Sequence, residues 1–385
     1  MNAAVVVPGV LAPVVVLVLA WLMPSLTAPD LPFGARVPAA RLGEPVIAAQ
    51  RRSYRRWLAG AGGAVLLAGG GFAVAAGGGH GVAAGAAAVL PALAAVAVAA
   101  AGYVRARRAV LAAKRAGGWY DGLRQGVAAD TSLRTGPRAV AGLWALPAVL
   151  LTVVTAAIGA VRYRGMPARL PVHYGGGGTA DRYAAKSLPT AFAPVLVQLL
   201  VTALMVGIVW AVARGRADLD PAHPAASAAR YRRFVARVGA ALLVLAACID
   251  LSMLLAALKI WAGAAALSPV SLLAPVLAGL AVVVLVSVRT GQGGSRLTGP
   301  ARDGTGGDGP GTDGAGADDP DTGLVHADDD RYWRAGGTVY VNRSDPALLV
   351  PKRFGIGWTV NLGNPRVVLL LLVLAGLAVV LSVAS

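Results

Sequence analysis

Cysteine is almost missing. Cys248 is the only one in 385 residues, so no intrachain disulfide can form and every exposed loop must hold its shape by other means. It sits in an apolar run, where it reads as a small buried side chain. Charge is also scarce, with 14% Asp, Glu, Lys and Arg against about 25% in soluble domains. Acid is scarcer than base, 18 residues against 35, and only four of the 35 basic residues are lysine. The four histidines form no metal-ligand spacing, and no Ser or Cys stands in frame with a base. Neither a metal centre, a cofactor nor covalent catalysis is therefore expected, and the chain is not read as an enzyme.

Apolar residues, by contrast, make up 57% of the chain, and mean hydropathy is +0.66. They come in blocks long enough to cross a hydrocarbon core of about 30 Å. Eight spans are predicted, roughly 3–23, 58–77, 82–104, 140–161, 190–213, 238–258, 268–288 and 367–384. The expected fold is thus all-α, a polytopic transmembrane bundle of about eight helices, with a small, partly β cytoplasmic element before the last one. The second span holds six glycines (60, 62, 63, 69, 70, 71). With the third it reads as a tight hairpin around Gly79-His80-Gly81, whose small residues permit close helix approach.

Charge orients the bundle. With the N-terminus outside, the inner segments 24–57, 105–139, 214–237 and 289–366 hold 29 of the 35 basic residues, and the outer ones hold six. Basic residues favour the cytoplasmic side. A plasma-membrane, multi-pass protein follows, with 290–365 cytoplasmic. No positive residue precedes 3–23, so that run is an uncleaved helix and not a signal peptide. The net charge of +17 does not point to nucleic acid, because the arginines lie in short loops between spans. Lipid is the expected partner.

Five parts follow along the chain: 1–139, a three-helix region with basic loops; 140–213, two helices and an outer loop; 214–289, two more helices; 290–327, a Gly/Asp-rich linker; and 328–385, an aromatic-rich element with the last helix. The linker has twelve glycines between 291 and 323 and should be disordered. Asp328, Asp329 and Asp330 close it. Without a loop of spaced ligands after them, they read as solvated acid and not as a calcium site. In the element that follows, Thr338 to Val341 reads as a strand. Tyr332, Trp333, Lys352, Arg353 and Trp358 suit either an interfacial aromatic belt meeting headgroups or a docking element on the inner mouth of the bundle. Arg51, Arg52, Tyr54, Arg55, Arg56 and Trp57 form a basic helix expected to lie on the inner leaflet. The first inner loop also carries Phe33-Gly34 and Arg36, whose arginine reads as topogenic.

The most chemical segment is the outer loop 162–189. Pro171, His173, Tyr174, four glycines (175–178), Asp181, Arg182, Tyr183 and Lys186 follow in close order. A glycine run permits tight reversal, which would bring His173 beside Asp181 and fix the imidazole tautomer. The residues alone allow a structural loop capping the bundle or a ligand-facing site. Inside the membrane, Asp250 is the one carboxylate within a predicted span. A charge there costs about 2.5–3.5 kcal/mol on insertion scales, so it needs a partner or a function. Gln198 is the candidate partner.

The order Pro-x-His-Tyr, Gly, Asp-Arg-Tyr and Lys, then Leu188-Pro189, resembles the signature loop of an uncharacterised bacterial membrane domain, one that also heads the SdpI-type immunity and signalling proteins. The chain departs from it in its run of four glycines. Residues 331–365, with Tyr332-Trp333, Val350-Pro351-Lys352-Arg353 and Gly355-Ile356-Gly357-Trp358, resemble a second domain of unknown function that accompanies the first in actinobacterial proteins. The resemblance implies sensing or immunity-type recognition of an extracytoplasmic peptide or envelope ligand through 162–189, coupled to a cytoplasmic regulator. The alternative is a proton- or ion-coupled small-solute transporter using Asp250, although no internal repeat of the kind transporters carry is evident.

Overall fold

A computed structural model describes residues 3–76, 82–135, 142–175, 178–297 and 319–384. The Gly79-His80-Gly81 turn and most of the expected linker lie outside them. In chain order the helices are α1 (Ala3–Leu26), α2 (Pro45–Trp57), α3 (Gly63–Ala76), α4 (Val82–Ala116), the single turn α5 (Ser132–Thr135), α6 (Leu146–Arg162), α7 (Leu188–Arg214), α8 (Pro224–Trp261), α9 (Pro269–Thr290) and α10 (Pro365–Ala384). Among the described residues, six helical stretches are long and apolar enough to cross a membrane. They cover six of the eight predicted spans, and the apolar helices α1 and α10 coincide with the first and last. Leu200, Leu277 and Leu369 are 68%, 57% and 63% exposed. Apolar faces of that extent need lipid, because soluble monomers rarely expose patches beyond a few hundred Å². The chain is an integral membrane protein built as a helical bundle with small sheets.

The chain forms two compact units. The first takes residues 1–133, 215–231 and 291–385. Here α1, α3 and α4 pack together, and glycine sets the distance at two points. A Cβ on Gly62 would lie 2.9 Å from Leu17, and one on Gly69 would lie 2.7 Å from Pro91. Gly60, Gly63, Gly70 and Gly71 meet open space, so only two of the six glycines serve close approach.

The basic helix α2 was expected to lie flat on the leaflet. Instead it runs through a π-helical turn (Leu58–Gly62) into α3 without leaving helical geometry. The apolar positions Ile47, Tyr54 and Leu58 are buried against α4 and α1, so packing on neighbouring helices replaces burial in lipid. Beside them Phe33 adopts φ 50°, a left-handed conformation costly for a bulky residue. It is held by edge-on contacts to Tyr54 and Tyr103 at 5.5 and 5.8 Å.

Beyond the helices, this unit carries short strands: β1 (Gln125–Gly126), and, later in the chain, β4 (Val325–His326), β5 (Trp333–Arg334), β6 (Val339–Tyr340), β7 (Leu349–Pro351) and β8 (Trp358–Val360). β1 pairs in parallel with β4; β5 with β6 and β7 with β8 are antiparallel. The linker expectation is corrected at both ends. A 3-10 turn spans Gln292–Gly294, and β4 lies within the stretch expected to be disordered.

The second unit takes residues 134–214 and 232–290. It holds α6, α7, α9 and the apolar part of α8. Its β-hairpin, β2 (Arg169–Tyr174) and β3 (Ala180–Ala185), joins α6 to α7. Gly159 lets α6 close on its neighbours, since a Cβ there would sit 3.0 Å from the Trp261 ring. Cys248 is half-buried, not fully buried, and lies against Gly279.

Candidate functional site

The signature loop folds as the sequence requires. Gly175 donates its N–H to the Thr179 carbonyl and Gly178 to that of Gly175, both at 2.8 Å. Gly178 has φ +79°, a conformation that favours glycine. Gly176 and Gly177 lie outside the described residues. Pairing is irregular after Pro171: His173 opposes Arg182 and Tyr174 opposes Ala180, which leaves Asp181 as an extra residue on β3. Such a bulge re-aims a side chain. Here the Asp181 carboxylate accepts from His173 Nδ1 at 2.6 Å.

Both side chains of the pair are about half exposed, at 48% and 50%. The His173 hydrogen bond holds the Asp181 carboxyl below its ordinary value. In the neutral ring the proton then sits on Nδ1, and the Nε2 lone pair is free to accept.

The hairpin is anchored on two sides, by the α8–α9 connection and by the end of α6. The Tyr174 hydroxyl donates to the Ala264 carbonyl at 3.2 Å. Ala180 N–H donates to Ala265 O and Leu267 N–H to Gly178 O, each at 2.8 Å, so the α8–α9 connection acts as a third strand. Lys186 reaches back to the end of α6, donating to the Met166 carbonyl at 3.1 Å and, at longer range, to those of Tyr163 and Arg164. Of the expected loop residues, His173 and Asp181 come together, while Tyr174 and Lys186 are anchors. Arg182 stands opposite His173 in the register.

The intramembrane polar group lies deeper in the same unit. Asp250 is fully buried and accepts from the Thr202 hydroxyl at 2.7 Å. Gln198 is a hydrogen-bond partner of Asp250, through the backbone and not the carboxylate. Its Nε2 donates to the Asp250 backbone carbonyl at 2.8 Å and to Thr155 Oγ1 at 3.0 Å. Asp250 Oδ1 and Gln198 Oε1 are buried acceptors without a hydrogen-bond donor among the described residues. Thr155 and Thr202 escaped the sequence reading because a membrane threonine usually bonds its own helix. Thr155 does so, to Leu151 O at 2.7 Å.

The first unit holds a second polar centre, which overturns the solvated-acid reading of Asp328 to Asp330 and disfavours the belt alternative for the aromatic stretch. Asp328, Asp329 and Asp330 are not solvated acid. Lys114 contacts Asp328 and Asp330 at 2.7 Å each; Arg107 lies 3.7 Å from Asp330; Arg353 pairs with Asp329 and lies 3.6 Å from Asp330. Nor does Arg353 meet headgroups, being 2% exposed. It lies over the Trp333 ring at 5.2 Å, and Trp333 packs on Tyr340 at 5.0 Å, with Tyr332 edge-on to Tyr340 at 6.3 Å. The aromatics form a small core in place of an interfacial belt. The stretch docks on helix ends, as Phe354 packs on Tyr103 at 5.4 Å and Gly355 N–H donates to Thr27 Oγ1 at 3.1 Å. Trp358 is half-buried opposite Pro351.

Arg36, read as topogenic, is the hub of this centre. It pairs with Asp30 and, at 2.5 Å, with Asp218. Burial disfavours its charge, but Asp218 and Asp30 outweigh burial and raise its pKa. Burial likewise opposes ionisation of Asp218, yet Arg36 wins and holds that carboxyl well below the usual range. His326 lies 3.6 Å from Asp30 and 3.7 Å from Asp218. A cavity of about 460 Å³ opens beside these groups and is lined also by Arg230 and Lys352. A sequence signal for this centre was Asp30 and Asp218, acids in loops where basic residues predominate.

Residues 150–199 match a domain of unknown function, DUF1648, and residues 343–368 match a family of unknown function, DUF5808. The first covers most of α6, the hairpin and the start of α7, including His173, Asp181, Lys186 and Gln198. The second covers Lys352, Arg353, Trp358 and the start of α10. The first contains the signature loop and the second overlaps 331–365, the two stretches singled out by resemblance. No curated protein and no solved structure matches the chain.

Proposed function

We propose that the chain is a plasma-membrane recognition protein of the sensing or immunity type. Its hairpin at 169–185 binds an extracytoplasmic peptide or envelope ligand without transforming it, and the charged centre of the first unit faces a cytoplasmic regulator. The observation that carries this reading is the His173–Asp181 pair. One ring nitrogen is committed to a carboxylate, the other is open at the surface, and the supporting strands are tied down on two sides. A rigid, half-exposed acceptor of this kind suits recognition. The outward orientation rests on the 29-to-6 division of basic residues. A second reading, proton- or ion-coupled transport, is favoured by the donor-less oxygens of Asp250 and Gln198.

The two readings separate in one experiment. Cells expressing the full chain are challenged with a panel of envelope-active peptides and antibiotics. Recognition requires that His173→Ala and Asp181→Ala abolish whatever protection or response the chain confers, while Asp250→Asn leaves it intact. The reverse pattern would assign the activity to Asp250 and overturn the hairpin reading.

A further inference from the structure

We infer that the groove between α2 and α4 binds the phosphate of an anionic glycerophospholipid in the leaflet that the basic loops face. The groove, about 520 Å³, is lined by Ala49, Arg52, Ser53, Arg56, Trp57 and Arg105. Arg52 and Arg56 stand one turn apart on α2, so they share a face, and Arg105 reaches toward them from α4. All three are exposed. None is paired with a carboxylate among the described residues, and Arg105 instead lies over the Trp57 ring at 4.8 Å. This contrasts with Arg36, Arg107 and Arg353 of the same unit, which acids neutralise. Three unneutralised guanidinium groups converging on one hollow are a site for a diffuse anion. Their planar forks match a phosphodiester better than a point cation would.

The height of the groove selects a lipid over a soluble anion. The apolar run leading into α3 begins at Leu58, and that of α4 ends at Val104. The groove therefore sits where both helices leave hydrocarbon, at headgroup level. Trp57 has the amphipathic ring that this zone favours. Its indole N–H donates to the Val98 carbonyl at 2.8 Å, and its ring lies on Gly102, where a Cβ would be 2.5 Å from Cδ1. The glycine lets the indole reach a helix carbonyl and form the floor of the groove. Ser53 adds a hydroxyl beside the arginines.

The test uses the full chain purified in detergent, with native mass spectrometry reading retention of added phosphatidylglycerol and phosphatidylcholine. Basic residues near an anionic surface are worth about 1 kcal/mol each. On that basis Arg52→Gln/Arg56→Gln/Arg105→Gln should weaken phosphatidylglycerol retention on the order of 100-fold, and Arg56→Gln alone by roughly fivefold. A control of equal charge, Arg331→Gln/Arg334→Gln/Arg343→Gln, should retain lipid as the wild type does, and phosphatidylcholine should bind weakly to all. Should the triple variant not fold, the single variant carries the test. Equal loss in the control, or retention unchanged in Arg56→Gln and the triple variant, would overturn the site. Competition by excess inorganic phosphate as strong as that by lipid would overturn the lipid assignment.

Discussion

Arg353→Met is the sharpest probe of the charged centre. Methionine keeps an unbranched apolar stem of similar reach over Trp333 and deletes only the guanidinium. Four cations (Arg36, Arg107, Lys114, Arg353) face five carboxylates (Asp30, Asp218, Asp328, Asp329, Asp330). Losing one cation leaves Asp329 without its closest partner and three cations against five acids. Removing one member of a buried pair costs about 3–5 kcal/mol, because the remaining charge stays desolvated. At about 2–4 °C per kcal/mol for a unit of this size, the melting point should fall by roughly 6–20 °C. The assay is thermal unfolding of the full chain in micelles followed by tryptophan fluorescence, to which Trp333, 5.2 Å from the guanidinium, reports directly. Arg353→Met/Asp329→Asn should recover at least half of the loss, since removing both charges relieves the imbalance. The reasoning fails if the single variant melts like the wild type, or if the double variant melts no higher than the single.

Acid should loosen the first unit in two steps. Burial and then Arg36 hold the His326 pKa below its ordinary value, against Asp218 and Asp30. The folded imidazole therefore stays neutral while the unfolded one takes a proton below about pH 6.5, and stability should decline as pH falls through that value. Asp218, held low by Arg36, adds a loss only below about pH 4, the ordinary carboxylate range. His326→Gln should flatten the first step and leave the second, as read by melting points across pH. Gly363→Ala should destabilise by about 1–3 kcal/mol, the usual cost of overpacking, because the new Cβ would lie 2.5 Å from the Asn342 backbone; an unchanged melting point would refute the contact. A reporter active only outside the cytoplasm should function when inserted near residue 176 and stay silent near residue 310, and the reverse pattern would invert the orientation.

Strong periodic and compositional signals were legible from sequence, and long-range charge pairing was not. Span positions follow from apolar runs, which lipid dictates residue by residue. The His173–Asp181 contact was legible because a glycine run leaves few other places for the chain to go. Asp181's bulge was not, since a one-residue slip in register leaves no local signature. The aromatic stretch 331–365 misled in part because belt residues and the residues of a small core share one composition. Only the buried state of Arg353 separates them, and its partner Asp329 sits in an acidic run whose neighbours suggest solvent. Arg36 shows the general case: its nearest acid in sequence, Asp30, is visible, but Asp218 is 182 residues away.

Those distant pairs carry a consequence for topology that composition alone could not supply. Arg36, Lys114, Asp218 and Asp330 come from the four segments that the charge count assigns to one side. Each pair closes within 4 Å or less: Arg36 to Asp218 at 2.5 Å and Lys114 to Asp330 at 2.7 Å, with the Arg36 backbone N–H 3.1 Å from the Asp330 carboxylate. Side chains on opposite faces of a 30 Å hydrocarbon core cannot meet in this way. The number of crossings between any two of these segments must therefore be even. The glycine-rich stretch 58–104, the weakest span pair by composition, then crosses twice or not at all. Its two apolar helices, packed on α1 and on each other with Gly62 against Leu17 and Gly69 against Pro91, suit the first alternative. Positive charge biases which side the loops take, whereas the ion pairs require that they take the same one. The two arguments rest on different physics, screening-sensitive insertion energetics and buried Coulombic pairing, and they agree on the parity of the crossings between these four segments.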